Sequence, residues 1–172
     1  MKLTPLVLVV SLCLTAASGR AQTVTDAQIA AIVVAANQVD IDAGLLAESQ
    51  ASQANVKEFA WLMVFDDTGV NQQTTDLVTA LTVTPQDNPM SQRLKTGGAQ
   101  NVAHLKTLHG AAFDKAYIAH EVTYHERVLT ALDTTLIPNA QNPELKALLV
   151  QVRPVFVRHL AHAKRVQSTI AE

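Results

Sequence analysis

From Thr25 onward the apolar side chains come at intervals of three and four residues, in four long runs. That spacing matches the 3.6-residue turn of an α-helix, and nothing alternates with the period of two that a half-buried strand needs. It predicts an all-α protein. Each run carries one apolar stripe, so each helix must bury one face, and four such helices close most simply as a bundle. Few glycines, few aromatics and much Ala, Leu and Val favour helices packed through small and aliphatic side chains.

The first helix opens on Thr25-Asp26-Ala27-Gln28, a capping box, and its stripe runs Ile29, Ile32, Val33, Ala36, Asp40, Ala43, Leu46 and Ala47 to an end near Ser52. The second is expected to cap at Asn55, with Val56, Phe59, Ala60, Met63, Asp67, Val70, Thr74, Leu77 and Leu81 on one side, and to stop by Pro85. The short link between them predicts an antiparallel hairpin. Thr82 to Gly98 holds Pro85, Asn88-Pro89 and Gly97-Gly98 and reads as a crossover loop, followed by a short helix at about 99–108. The third long helix is expected over about 111–136. The fourth opens at Asn142-Pro143-Glu144 and carries Pro154 inside it, where a missing amide proton predicts a kink or a division.

Met1-Lys2 precedes an apolar run from Leu3 to Ala17, then the small-residue stretch Ser18-Gly19-Arg20-Ala21. One positive charge, a short apolar core and small residues at a cleavage site predict a secretory signal peptide over residues 1–21, leaving 22–172 as one domain. The apolar run falls short of the roughly 20 residues that span a bilayer. Leu12 before Cys13 does not suit a lipoprotein signal. Cleavage would remove Cys13, the only cysteine, and with it any disulfide, thiolate nucleophile or soft metal ligand. It would also remove Lys2 and Arg20 from a chain whose formal charge is −2, so an acidic domain without a basic run offers nothing to nucleic acid. The expected location is the periplasm or outer envelope of a bacterium.

On a core face the informative residues are the polar ones. Asp40 stands in the first stripe and Asp67 in the second. Asp114, Ile118, Glu121, His125, Val128 and Leu132 share a face of the third, where Glu121 and His125 are four apart and within reach. The fourth offers His159 and His162. Asp40, Asp67, Glu121, His125 and His159 are therefore the candidate metal ligands, with iron, zinc or manganese as the ions that suit carboxylates and imidazoles. The reading favours a hydrogen-bonded network of the same residues that fixes helix register, with the metal site as its alternative. Carboxylate-bridged di-iron sites use Glu on two helices and Glu-x-x-His on the other two, a pattern not written here. Phe113, Tyr117, His120 and Tyr124 read as core or seam, and Trp61 as packing. No nucleophile elbow or Gly-rich phosphate loop is present, and Asp66-Asp67 is not a calcium loop, so the reading leans away from an enzyme.

Asp40-Ile41-Asp42-Ala43-Gly44-Leu45-Leu46-Ala47, Val56-Lys57-Glu58-Phe59-Ala60, Met63-Val64-Phe65-Asp66-Asp67, Phe113-Asp114-Lys115-Ala116-Tyr117-Ile118 with His125, and Pro154 with His159-Leu160 together resemble the domain of unknown function 4142 family. The resemblance spans nearly the whole chain after the signal segment. It implies an exported bacterial protein, often labelled an outer-membrane protein, with a ferritin-like four-helix bundle and no established activity. The family's usual pattern has Glu where Asp40 and Asp42 stand and His where Asp67 stands. Two functions stay open. One is a non-enzymatic envelope bundle with a structural polar cluster, acting by binding a protein, a small molecule or the envelope. The other is a ferritin-like metal-binding protein.

Overall fold

A computed structural model describes residues 23–170; the expected signal segment, residues 1–21, lies outside the described residues. Among the described residues all regular structure is helical. α1 spans Asp26–Gln50, α2 Ala54–Ala80, α3 Pro89–Leu105 and α4 Gly110–Ala131. α4 runs on through a π-helical turn, Leu132–Leu136, into the single turn α5, Ile137–Asn139, before α6, Pro143–Ile170.

The capping box at Thr25 forms as read, with the Gln28 amide donating to Thr25 Oγ1 at 3.3 Å and the Thr25 amide to Gln28 Oε1 at 3.1 Å. α2 differs from expectation. Its cap is Gln53, which contributes no side-chain bond, and Asn55 instead donates to Thr169 Oγ1. The work of capping is done by Asp114, from α4: its carboxylate accepts from the Ser52 and Gln53 amides at 2.9 and 3.0 Å and from the Ser52 hydroxyl. Those contacts also put the starts of α2 and α4 side by side. Asp26 does the converse at the other end, accepting from the amides of Gln141 and Asn142 beside the start of α6. α1 and α6 are thus parallel, and antiparallel to α2 and α4.

A chain that leaves α2 at one end must return before α4 can start at the other. The expected loop there is a 17-residue helix, α3. Asn88 caps it, accepting from the Met90 and Ser91 amides, and Pro89 takes the first helical position, where its missing donor costs nothing. Gly97 and Gly98 lie inside the helix rather than in a loop. Gly98 faces α1 so closely that a Cβ there would meet Val39 Cγ2 at 2.6 Å, so the glycine sets the α1–α3 approach. α6 continues through Pro154 as one element, undivided. The carbonyl that loses its helical donor to the proline is that of Val150, a residue 54% exposed, where water can serve.

The core is in two parts. Ala43, Phe59, Met63, Phe113, Tyr117 and Val166 belong to the cluster at the end where α2 and α4 begin. Ile29, Val70, Leu136, Leu145, Leu149 and Phe156 belong to that at the other end. Each buried Val, Leu, Ile, Phe or Met side chain contributes about 1.5–3 kcal/mol relative to exposure. α1 is long and apolar enough to cross a membrane, but 67% of its most apolar window is buried inside the bundle. On each of the four bundle helices a buried polar residue lies between the two apolar clusters.

Candidate functional site

That polar layer is built from Asp40 on α1, Asp67 on α2, Glu121 and His125 on α4, and His159 on α6. All five are essentially excluded from solvent. The helical period explains how the sequence delivers them. Asp40 follows Ile29, Ile32 and Val33 and precedes Ala43 and Ala47 on the same face, so α1 cannot bury its stripe without burying the acid.

Asp40, Glu121 and His125 form the tightest group, with one ligand atom from each lying within 4.8 Å of the others. His125 Nε2 stands 3.5 Å from Asp40 Oδ2, and its Nδ1 3.6 Å from Glu121 Oε2. Asp67 and Glu121 both lie close enough to Asp40 for its charge to act on them. His159 adjoins His125, ring centroids 5.4 Å apart and nearly perpendicular.

The partners of the two imidazoles fix which nitrogen is free. His125 Nδ1 is 2.9 Å from the Glu121 carbonyl, which can only accept, so Nδ1 carries the proton and Nε2 of the neutral ring is a lone pair. His159 Nε2 donates in the same way to Asp66 Oδ2 at 2.8 Å, leaving Nδ1 as its lone pair. Both open nitrogens are buried without a partner among the described residues, and so are all six oxygens of Asp40, Asp67 and Glu121. With its carboxyls ionised, the layer is a set of acceptors facing acceptors.

Such a set carries a heavy electrostatic cost unless something positive joins it. Burial pushes the carboxyls of Asp67 and Glu121 well above the ordinary range, and the nearby Asp40 pushes them further. His159 is pushed down, first by burial and also by His125, against the pull of Asp66. Tyr117, one turn before Glu121, buries a hydroxyl that also lacks a partner among the described residues. Its ionisation is opposed by burial and then by Glu121, Asp40 and Asp67. Tyr124 donates to the Ala36 carbonyl at 2.7 Å and so ties α4 to α1 one turn before Asp40.

The structure thus brings Asp40, Asp67, Glu121, His125 and His159 into one layer. Asp114 shares their helix face but lies two turns away, engaged in the α2 cap. His162 packs edge-on against Phe59 and stays outside the layer. Asp66 and Tyr117 are the neighbours that sequence reasoning did not assign to the site. Asp66 sits off the α2 stripe, and only its pairing with His159 across the bundle reveals it.

A family model described as a domain of unknown function, DUF4142, matches residues 12–166. The chain belongs to the DUF4142 family. The match takes in every residue of the polar layer and all of the helices except the last few residues of α6. No curated protein and no solved structure matches the chain.

Proposed function

We propose that this DUF4142 protein is a metal-binding protein of the ferritin-like kind, holding a divalent first-row ion in the polar layer. The observation that carries the reading is the acceptor-only chemistry of the layer. Three buried carboxylates and two imidazole lone pairs are what a cation needs, and when the carboxyls are ionised they offer one another no donor. Asp40, Glu121 and His125 would be the principal ligands, with Asp67 and His159 completing or adjusting the set.

Two further features support it. Ligands each about 2.0–2.1 Å from a tetrahedral ion stand about 3.4 Å apart, and the His125 Nε2–Asp40 Oδ2 separation is 3.5 Å. Each imidazole also anchors its other nitrogen, one on a backbone carbonyl and one on a carboxylate, the usual support for a ligating histidine. Iron, zinc and manganese suit the donors. The layer does not write a carboxylate-bridged di-iron site, so one ion per chain is expected. The signal-like residues 1–21 support export to the periplasm or outer envelope, where such an ion would be bound.

Dialysis of chelator-treated protein against Mn²⁺, Zn²⁺ or anaerobic Fe²⁺, followed by elemental analysis, tests the reading. The expected result is about one ion per chain, lost in His125→Ala and in Asp40→Ala, each checked for helicity. Wild-type protein that retains no ion would leave the competing structure, carboxyls sharing protons in a register-fixing network, as the account of the layer.

A further inference from the structure

A cleft of about 580 Å³ separates α1 and α3 on one side from α4 and α6 on the other. Its volume lies within the range of small-molecule sites, roughly 300–1,000 Å³, and most of its wall is apolar: Ile32, Val128, Leu132, Leu149, Val152 and Phe156. The polar groups are Asn37, Asn101, His120 and Tyr124, and the fixed charges are all of one sign. Arg93 on α3 and Arg127 on α4 line it, while no acidic side chain among the described residues does. In a chain with more acidic than basic residues, that is a local reversal of sign.

Neither arginine is otherwise engaged by a carboxylate. Among the described residues the Lys and Arg ion pairs are Lys95–Asp87, Arg153–Asp133 and Lys164–Glu126. Asn101, also in the wall, has a buried amide nitrogen with no acceptor among the described residues. The cleft therefore presents unused donors and positive charge beside an apolar wall. The other two large grooves are lined by acids as well: Asp42 and Asp87 with Lys95 and Lys106 in one, Glu48 and Asp66 with Arg158 in the other.

We propose that this cleft binds a single-tailed anionic amphiphile, of the class of a free medium- or long-chain monocarboxylate. The tail lies against Val128, Leu132, Leu149 and Phe156, and the carboxylate is met by Arg93, Arg127 and the Asn101 amide. Planar guanidinium groups suit a carboxylate by bidentate bonding, and the apolar wall rewards chain length without selecting a functional group along it. The site is separate from the polar layer. His120 stands between them, lining the cleft while its Nδ1 lies 3.5 Å from Glu121 Oε1, so the inference does not rest on metal binding.

Calorimetric titration of the chelator-treated protein with octanoate, decanoate and dodecanoate, each below its micellar concentration, tests the proposal, with decanol as the uncharged control. One carboxylate per chain is expected, tightening about fourfold for each added methylene, with decanol at least tenfold weaker than decanoate. Arg93→Gln with Arg127→Gln should weaken decanoate roughly tenfold and leave decanol nearly unchanged, since both side chains are exposed and the fold does not depend on them. Ala131→Trp, which fills the cleft, should abolish both while thermal unfolding still shows a folded protein. The proposal is overturned if no carboxylate binds to the wild type, if decanol binds as well as decanoate, or if the arginine variants lose nothing.

Discussion

Asp66 and Asp67 are neighbours in sequence and opposites in circumstance. Asp67 is fully buried against Asp40, while Asp66 keeps 28% of its side chain exposed and orients His159. The raised carboxyls of Asp67 and Glu121 make a prediction about the metal-free protein. In each, the folded state holds its proton above the ordinary values of 3.8 and 4.5, so the folded state binds more protons than the unfolded one. Their favourable contribution is complete below those values and is lost as pH rises above them. Asp67→Asn, which never ionises, escapes that loss. In chelator, urea unfolding from pH 4 to pH 8 should show the variant gaining on the wild type with rising pH; a constant difference would contradict the protonation assignment. Face arithmetic found Asp40, Asp67, Glu121, His125 and His159 because a helix stripe fixes direction and depth together. Asp114, noted on the same face but not among the candidate ligands, lies seven residues, about 10 Å, along the axis from Glu121. The same arithmetic read Tyr117 as core, which its full burial bears out, but did not find the unpartnered hydroxyl one turn before Glu121.

The helices divide by how their ends are held. Local caps were legible: Thr25 and Asn142 act within their own sequence, as read. The cap of α2 was not, because its acceptor, Asp114, is supplied from another helix. α3 was the largest departure. Asn88-Pro89 is both a turn signal and a cap followed by a favoured first residue, and Gly97-Gly98 looks like a loop until α1 is beside it. The two glycines should answer differently to alanine. A Cβ at Gly97 meets nothing within 4 Å, so Gly97→Ala should stabilise by about 0.5–1 kcal/mol through helix propensity. At Gly98 the new Cβ would press on Val39 at 2.6–3.0 Å, and forcing α3 away from α1 should cost about 1–3 kcal/mol. Thermal unfolding of the pair decides it, and equal effects would mean that α3 does not seat on α1 at this point.

At the scale of the molecule, two apolar clusters are joined through a waist that is polar on all four bundle helices. Two apolar halves could be stacked more cheaply with aliphatic residues at the waist, so the layer is a cost to stability that an ion would offset. Binding to the folded state alone stabilises by about 2.7 kcal/mol at a free ion concentration a hundred times the Kd. For a domain of this size that corresponds to a rise in Tm of about 5–10 °C, absent in His125→Ala. The most direct test is crystallographic. Crystals of metal-loaded protein, measured on either side of the absorption edge of the ion, should give one strong anomalous peak per chain at the waist. It should lie about 2.0–2.2 Å from ligand atoms of Asp40, Glu121 and His125. A peak only at the surface, or none at the waist with the carboxyls bonded to one another, would contradict the account.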